Sequence, residues 1–129
     1  MDRKSQREWV VKVLFEMDFN SYELEDIERI LENHDLKNEK FIKDSLFSTY
    51  SNLEKIDGLI KNNLKKLSFN NMPKIDKAIL RTSINEFVIE KSVPTSVSIN
   101  EAVEISKKYS REDSFKFING ILSSIAKEM

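Results

Sequence analysis

Helical periodicity and a shortage of turn-formers predict an all-α fold, with one domain of six or seven helices, and a length of 129 residues fits that single domain. Apolar residues recur three and four apart along the 129 residues instead of alternating. Two glycines and two prolines are too few for the turns of a many-stranded sandwich or barrel. With no cysteine in the chain, a disulfide scaffold, a thiol nucleophile and a Cys-ligated zinc are excluded. No such staple is needed, because a chain of this length buries about two-thirds of the surface its unfolded form exposes.

In the first helix Val10, Val13, Leu14 and Met17 fall on one stripe, and Lys12 and Glu16 face elsewhere. The pattern breaks at Asn20-Ser21, and a second helix carries Leu24, Ile27, Ile30 and Leu31. After a break from Asn33 to Asn38, a long third helix offers Phe41, Leu46, Tyr50, Leu53, Ile56, Ile60, Leu64 and Leu67. Gly58 inside it costs about 1 kcal/mol against Ala and marks close packing or a bend. Asn70-Asn71-Met72-Pro73 is a break and a restart, since Pro suits the first turn of a helix. The next helix runs from Pro73 to Glu90 on Ile75, Ala78, Ile79, Phe87 and Val88. Beyond Pro94, Ser98-Ile99-Asn100-Glu101 reads as a capping box for a helix closed by Tyr109-Ser110. Ser110-Arg111-Glu112-Asp113 reads as a second capping signal, with carboxylates at the positive helix end. The last helix carries Phe117, Ile118, Ile121, Leu122 and Ile125.

Catalytic patterns are missing. His34 is the only histidine, set among polar residues where surface exposure is expected. A di-iron bundle needs Glu-x-x-His pairs, and the residue three before His34 is Leu31. Glu101 with Glu104 and Glu86 with Glu90 share helix faces, as chance provides in a chain with 22 acidic residues. There is no phosphate loop, nucleophile elbow or His-Glu-x-x-His. The sequence therefore predicts no enzyme, no cofactor and no metal. The first residues lack an apolar signal region, and no stretch approaches the ~18 apolar residues of a membrane span. A cytoplasmic protein is expected.

The 21 basic and 22 acidic residues sum to −1, which by itself disfavours nucleic acid. The sum hides a partition. Arg3, Lys4, Arg7 and Lys12 crowd the first helix, whereas residues 23–39 hold seven acidic groups against Arg29 and Lys37. Residues 61–81 carry Lys61, Lys65, Lys66, Lys74, Lys77 and Arg81 against Asp76 alone. Lys107, Lys108, Arg111 and Lys116 form a third basic stretch, interleaved with Phe115 and Phe117. If the three converge they can release counterions from a phosphate backbone, with aromatics to stack on unpaired bases. Solvated lysine faces and ordinary core aromatics are the alternative reading of the same residues.

A denser signal lies in the second half. Ile75-Asp76-Lys77-Ala78-Ile79-Leu80-Arg81 resembles the Val-Asp-Arg-Ala-Ile-Leu-Arg block of the NusB family of bacterial antitermination factors. Asn85-Glu86-Phe87 falls on that family's Tyr-Glu-Leu, and Val93-Pro94 with Val97-Ser98-Ile99-Asn100-Glu101-Ala102-Val103-Glu104 on its Pro-x-x-Val-x-Ile-Asn-Glu-Ala-Val-Glu run. Lys107, Glu112-Asp113-Ser114 and Phe117-Ile118-Asn119-Gly120-Ile121-Leu122 complete the likeness, and Arg7-Glu8 with Val13-Leu14-Phe15 extend it to the first helix.

The resemblance implies two packed helical subdomains and a role in antitermination, chiefly on ribosomal RNA operons. It implies pairing with ribosomal protein S-ten (NusE), binding of single-stranded boxA RNA, and contact with the RNA polymerase elongation complex through other Nus factors. Mapped onto this chain, the RNA-binding residues are Arg3, Lys4, Arg7, Lys77, Arg81, Asp113, Lys116 and Phe117, and Phe15 and Asp76 bind the partner. A homodimer of the free protein is compatible with the family. For Arg81 the alternative is an ion pair inside the bundle, and for Asn119-Gly120 it is close helix packing. The chain departs from the family pattern at Phe15 (Tyr in some members), Trp9 (commonly small), Leu67 and Asn71 (Trp and Arg in many) and Lys77 (Arg). Two competing functions are a protein–protein adaptor and an RNA-binding module like those heading some RNA methyltransferases, although 129 residues leave no room for a catalytic domain.

Overall fold

Asp2 starts the first helix, its Oδ1 accepting from the Ser5 N–H at 2.8 Å, which satisfies one of the orphan amides of a helix end. In the computed structural model, which describes residues 1–129, α1 runs Arg3–Asn20 and buries Val10, Val11, Val13, Leu14 and Met17. Ser21 ends it in the left-handed conformation, φ 56°. A 3₁₀ turn (Leu24–Asp26) leads into α2 (Ile27–Asn33), followed by α3 (Lys40–Ser51) and α4 (Leu53–Asn62). A second 3₁₀ turn (Phe69–Asn71) precedes α5 (Lys74–Ile84), which passes into a π-helical turn (Asn85–Glu90). Two helices close the chain, α6 (Thr95–Tyr109) and α7 (Ser114–Lys127).

α5 is the central element. It lies against α1 on one side and α6 and α7 on the other, while α3 backs α1 and α4 bridges to α7. Every residue from Asp76 to Ile84 is buried. Twenty-six apolar side chains, from Val10 to Ile125, form one contiguous core, so the two halves of the molecule share a single interior.

Several expectations are corrected. The long third helix is two helices, broken at Asn52, whose backbone (φ −118°, ψ 20°) leaves helical geometry while its side-chain amide donates to the Ser48 carbonyl at 2.8 Å. It also stops at Asn62, leaving Leu64 and Leu67 in the following loop. Gly58 marks neither a bend nor a close approach, since a Cβ there would meet nothing within 4 Å. Gly120 is equally open, so Asn119-Gly120 does not serve helix packing.

Pro73 precedes the first turn of α5 as its cap residue, and Pro94 does the same for α6. Ser98 therefore lies a turn inside α6, fully buried, and caps nothing. Ser110 likewise does not cap α7; its hydroxyl donates to Asp76 Oδ1 at 2.6 Å. His34 is half-buried rather than exposed, with Nε2 2.6 Å from Glu16 Oε1 and its ring 5.4 Å from that of Trp9. Trp9 is thereby packed against the body of the protein, with Lys12 over its ring at 4.8 Å.

Because Gly58 sits in a helix with open space around its missing Cβ, Gly58→Ala should stabilise the protein by about 1 kcal/mol. Thermal unfolding should show a rise of about 4 °C. An unchanged or lower melting temperature would mean that the site is tighter than its geometry shows.

Candidate nucleic-acid interface

Two ionic contacts set α1 antiparallel to α5. Near the start of α1, Arg7 Nε donates to Glu86 Oε2 at 2.9 Å, and both side chains are almost fully buried. Ser98 donates to the other Glu86 oxygen at 3.1 Å and shares a 2.8 Å hydrogen bond with Ser83. Glu101 adds a second carboxylate, 3.9 Å from Arg7. Burial pushes the Glu86 carboxyl above its ordinary range against the opposing pull of the Arg7 guanidinium. At the far end of α1, Asp18 faces Lys74 at 3.6 Å and Lys77 at 3.9 Å.

A third pair ties α4 to α5. Arg81 grips Asp57 with both prongs of its guanidinium, at 2.9 and 2.8 Å, the fork-to-carboxylate geometry in which Arg is strongest. The Phe69 ring covers this region, with Lys77 Nζ 4.2 Å and Lys61 Nζ 4.9 Å from its centroid. Burial pushes the Lys77 ammonium below its ordinary range and the Tyr50 phenol up to about 12.

Arg7, Lys77 and Arg81, which the family resemblance offers as RNA ligands, are placed inside the bundle. Each is buried with a carboxylate within 4 Å: Glu86 for Arg7, Asp18 for Lys77 and Asp57 for Arg81. Asp76, offered as a partner contact, is largely buried and accepts from Ser110, and it reaches the floor of a surface cleft.

The remaining residues are on the surface, at separate places. Arg3 and Lys4 are exposed at the start of α1, where the Arg3 guanidinium lies 3.9 Å over the Phe41 ring. Phe15 is exposed further along α1 and stacks on the still more exposed Phe19, ring centroids 6.2 Å apart. Asp113, Lys116 and Phe117 meet around a groove across α7. One cleft of about 400 Å³ is lined by Asp76, Arg111, Asp113 and Phe117. A second, of about 480 Å³, is lined by Lys65, Lys66, Lys116 and Phe117. Leu67 and Phe117 border both. Lys65 and Lys66 were within the basic stretch read from sequence but not among the candidate ligands. A lysine pair in a chain break shows its charge, not what it faces.

A sequence profile of the NusB family matches residues 4–127. The chain belongs to the NusB family. It is 42% identical to the transcription antitermination protein NusB of Thermoanaerobacter sp. (strain X514), covering 99% of this chain and 92% of that relative. Among solved structures, T. maritima NusB superposes with a TM-score of 0.86 at 38% identity, over 99% of this chain and 92% of that one. A chain from a structure of the antitermination factors NusB and NusE with double-stranded RNA superposes at 0.83 and 26% identity, over 98% of this chain and 97% of that one. The NusB fold here is wholly helical, and no helix is long and apolar enough to cross a membrane.

These pairs separate residues that hold the fold from residues free to bind. Arg7→Ala strands the Glu86 carboxylate in the interior and should cost about 3–5 kcal/mol in urea unfolding, whereas Arg3→Ala should leave the unfolding midpoint unchanged. A small loss at Arg7 would show that Glu86 is tolerated without its partner. Glu8 responds to pH in a defined sense. Burial raises its pKa, but hydrogen bonds from Tyr109 at 2.7 Å and Lys108 at 3.0 Å outweigh it and hold it below 4.5. Its stabilisation is therefore present at neutral pH and lost as pH falls through the folded pKa below 4.5. Glu8→Gln should flatten that part of the acid limb, and an unchanged acid limb would remove Glu8 from it.

Proposed function

We propose that this chain is a transcription antitermination factor that binds boxA RNA of nascent ribosomal RNA transcripts together with NusE. The observation that carries this reading is the likeness, over nearly the whole chain, to a NusB solved with NusE and RNA, joined to a groove where Lys116 and Phe117 lie together on the surface. Lysine supplies a phosphate partner and phenylalanine a stacking face, the two requirements of single-stranded RNA recognition. Exposed Phe15 offers the partner an apolar contact, enlarged by Phe19. Arg3, Lys4 and Asp113 complete the surface set.

The role is recruitment, with no catalytic step, in the bacterial cytoplasm and within the RNA polymerase elongation complex. The exposed cations of the site lie on separate faces, Arg3 and Lys4 at the start of α1 and Lys65, Lys66 and Lys116 beside α7, so affinity for RNA is weak alone and rises when NusE supplies the rest of the site. A titration of boxA RNA with and without NusE, at two salt concentrations, tests this. The expected result is tighter binding with NusE, loss on scrambling boxA, and a steep fall with salt. Equal affinity for boxA and scrambled RNA in the presence of NusE overturns the reading. NusE binding with no gain for RNA would mark the chain as an adaptor between proteins.

A further inference from the structure

We infer that the loop from Asn63 to Leu67 forms a phosphate-binding wall facing α7, so that the cleft between them takes one unpaired nucleotide of a single-stranded RNA. This rests on the RNA-binding reading above and extends the interface to Lys65 and Lys66. The cleft holds about 480 Å³ and is rimmed by Lys65, Lys66 and Lys116, with Leu64, Leu67, Phe117 and Ile121 as its apolar surfaces and no carboxylate in its lining. All three lysines are exposed, and none is in an ion pair, unlike Lys74, Lys77 and Arg81 on the neighbouring helix.

The wall is fixed in place. Ser124 of α7 donates to Asn63 Oδ1 at 2.6 Å, and the Asn63 amide donates to the Leu59 carbonyl at 2.8 Å. The loop carrying Lys65 and Lys66 is thus anchored to α7 at its root, and both lysines are exposed. Space is left by Gly120, where a side chain would meet nothing within 4 Å. The volume falls in the usual range of small-ligand sites, about 300–1,000 Å³.

The adjoining cleft settles which way charge runs. Past Phe117 and Leu67 the lining changes to Asp76, Glu112 and Asp113, with Arg111 the only cation. A phosphate is attracted to the lysine end and repelled from the carboxylate end, so the backbone lies over the loop and the base leans toward Phe117. An acidic peptide would satisfy the lysines but would leave the aromatic face without a stacking partner.

The test is a fluorescence titration of labelled boxA RNA with the full chain and NusE across a salt series, using three variants. Lys65→Ala/Lys66→Ala should weaken binding about tenfold near 0.1 M salt and make the salt slope shallower by about 0.7 per lysine. Gly120→Leu fills the cleft without changing charge, and should weaken binding while leaving the slope unchanged. Lys37→Ala removes an exposed charge that lines neither cleft, and should bind as the unmodified protein does. Wild-type affinity in both the double variant and Gly120→Leu overturns the inference and leaves the proposed function standing. Weakening by the lysine variant alone also overturns it, because the lysines would then act through the general field. Loss of NusE binding rather than RNA binding in the lysine variant assigns the cleft to protein and overturns it too. Failure of the unmodified protein to distinguish boxA from scrambled RNA overturns the proposed function, and this inference with it.

Discussion

Arg7 and Asp18 lie about three turns apart on α1 and meet opposite ends of the segment formed by α5 and the π-helical turn that continues it, Arg7 through Glu86 and Asp18 through Lys74 and Lys77. Opposite charges at the two ends admit only the antiparallel arrangement, because a parallel one would oppose Arg7 to lysines and Asp18 to a carboxylate. Apolar packing between the helices is non-directional and would tolerate either. The ionic contacts therefore set orientation and register, while Val10, Val11, Leu14, Ile79 and their neighbours supply the burial. Glu86 carries more than this one contact. Its second oxygen accepts from Ser98 on α6, so three helices converge on one buried carboxylate. Removal of either partner of such a pair is costly, even where the pair as a whole adds little against an apolar substitute.

The fold class and most helix boundaries could be read from the sequence, because burial on one face imposes a spacing that survives in the residue string. The boundaries that could not be read share a cause. Asn52 ends α3 through its own side chain reaching back to Ser48, an event invisible to hydrophobic spacing, since the apolar series continues across it. Ser98-Ile99-Asn100-Glu101 has the letters of a capping box, yet Ser98 is needed by Glu86 and Ser83 in the interior. The preceding Pro94 was the better start signal. Short polar residues serve caps and buried networks alike, and only the tertiary neighbours decide between them.

The candidate site was legible in part, for an electrostatic reason. A basic stretch in sequence says nothing about which charges already have partners. Of the cations between residues 61 and 81, Lys74, Lys77 and Arg81 face carboxylates from α1 or α4. Lys61 lies over Phe69, and Lys65 and Lys66 point to the cleft beside α7. Arg81 resembles a family RNA ligand by motif and is an internal clamp by geometry. Lys116 and Phe117, read from the same kind of motif, do lie on the groove. The difference is helix position: α5 is central, with neighbours on both sides, whereas α7 keeps one face open.

That division has a consequence for how the molecule responds to its surroundings. Ion pairs such as Arg7–Glu86 and Arg81–Asp57 are shielded from dissolved ions by burial, so their attraction is barely screened. Lys65, Lys66, Lys116, Arg3 and Lys4 are exposed, and their attraction for phosphate fades as counterions compete. Added salt thus weakens the binding surface well before it loosens the fold. The near-neutral total of −1 conceals this division: Arg7, Lys77 and Arg81 are internal counterparts of carboxylates, whereas the exposed cations lie on separate faces. On the proposed reading, a partner that brings further positive charge to one of those faces completes the surface there, where the field of neighbouring cations adds.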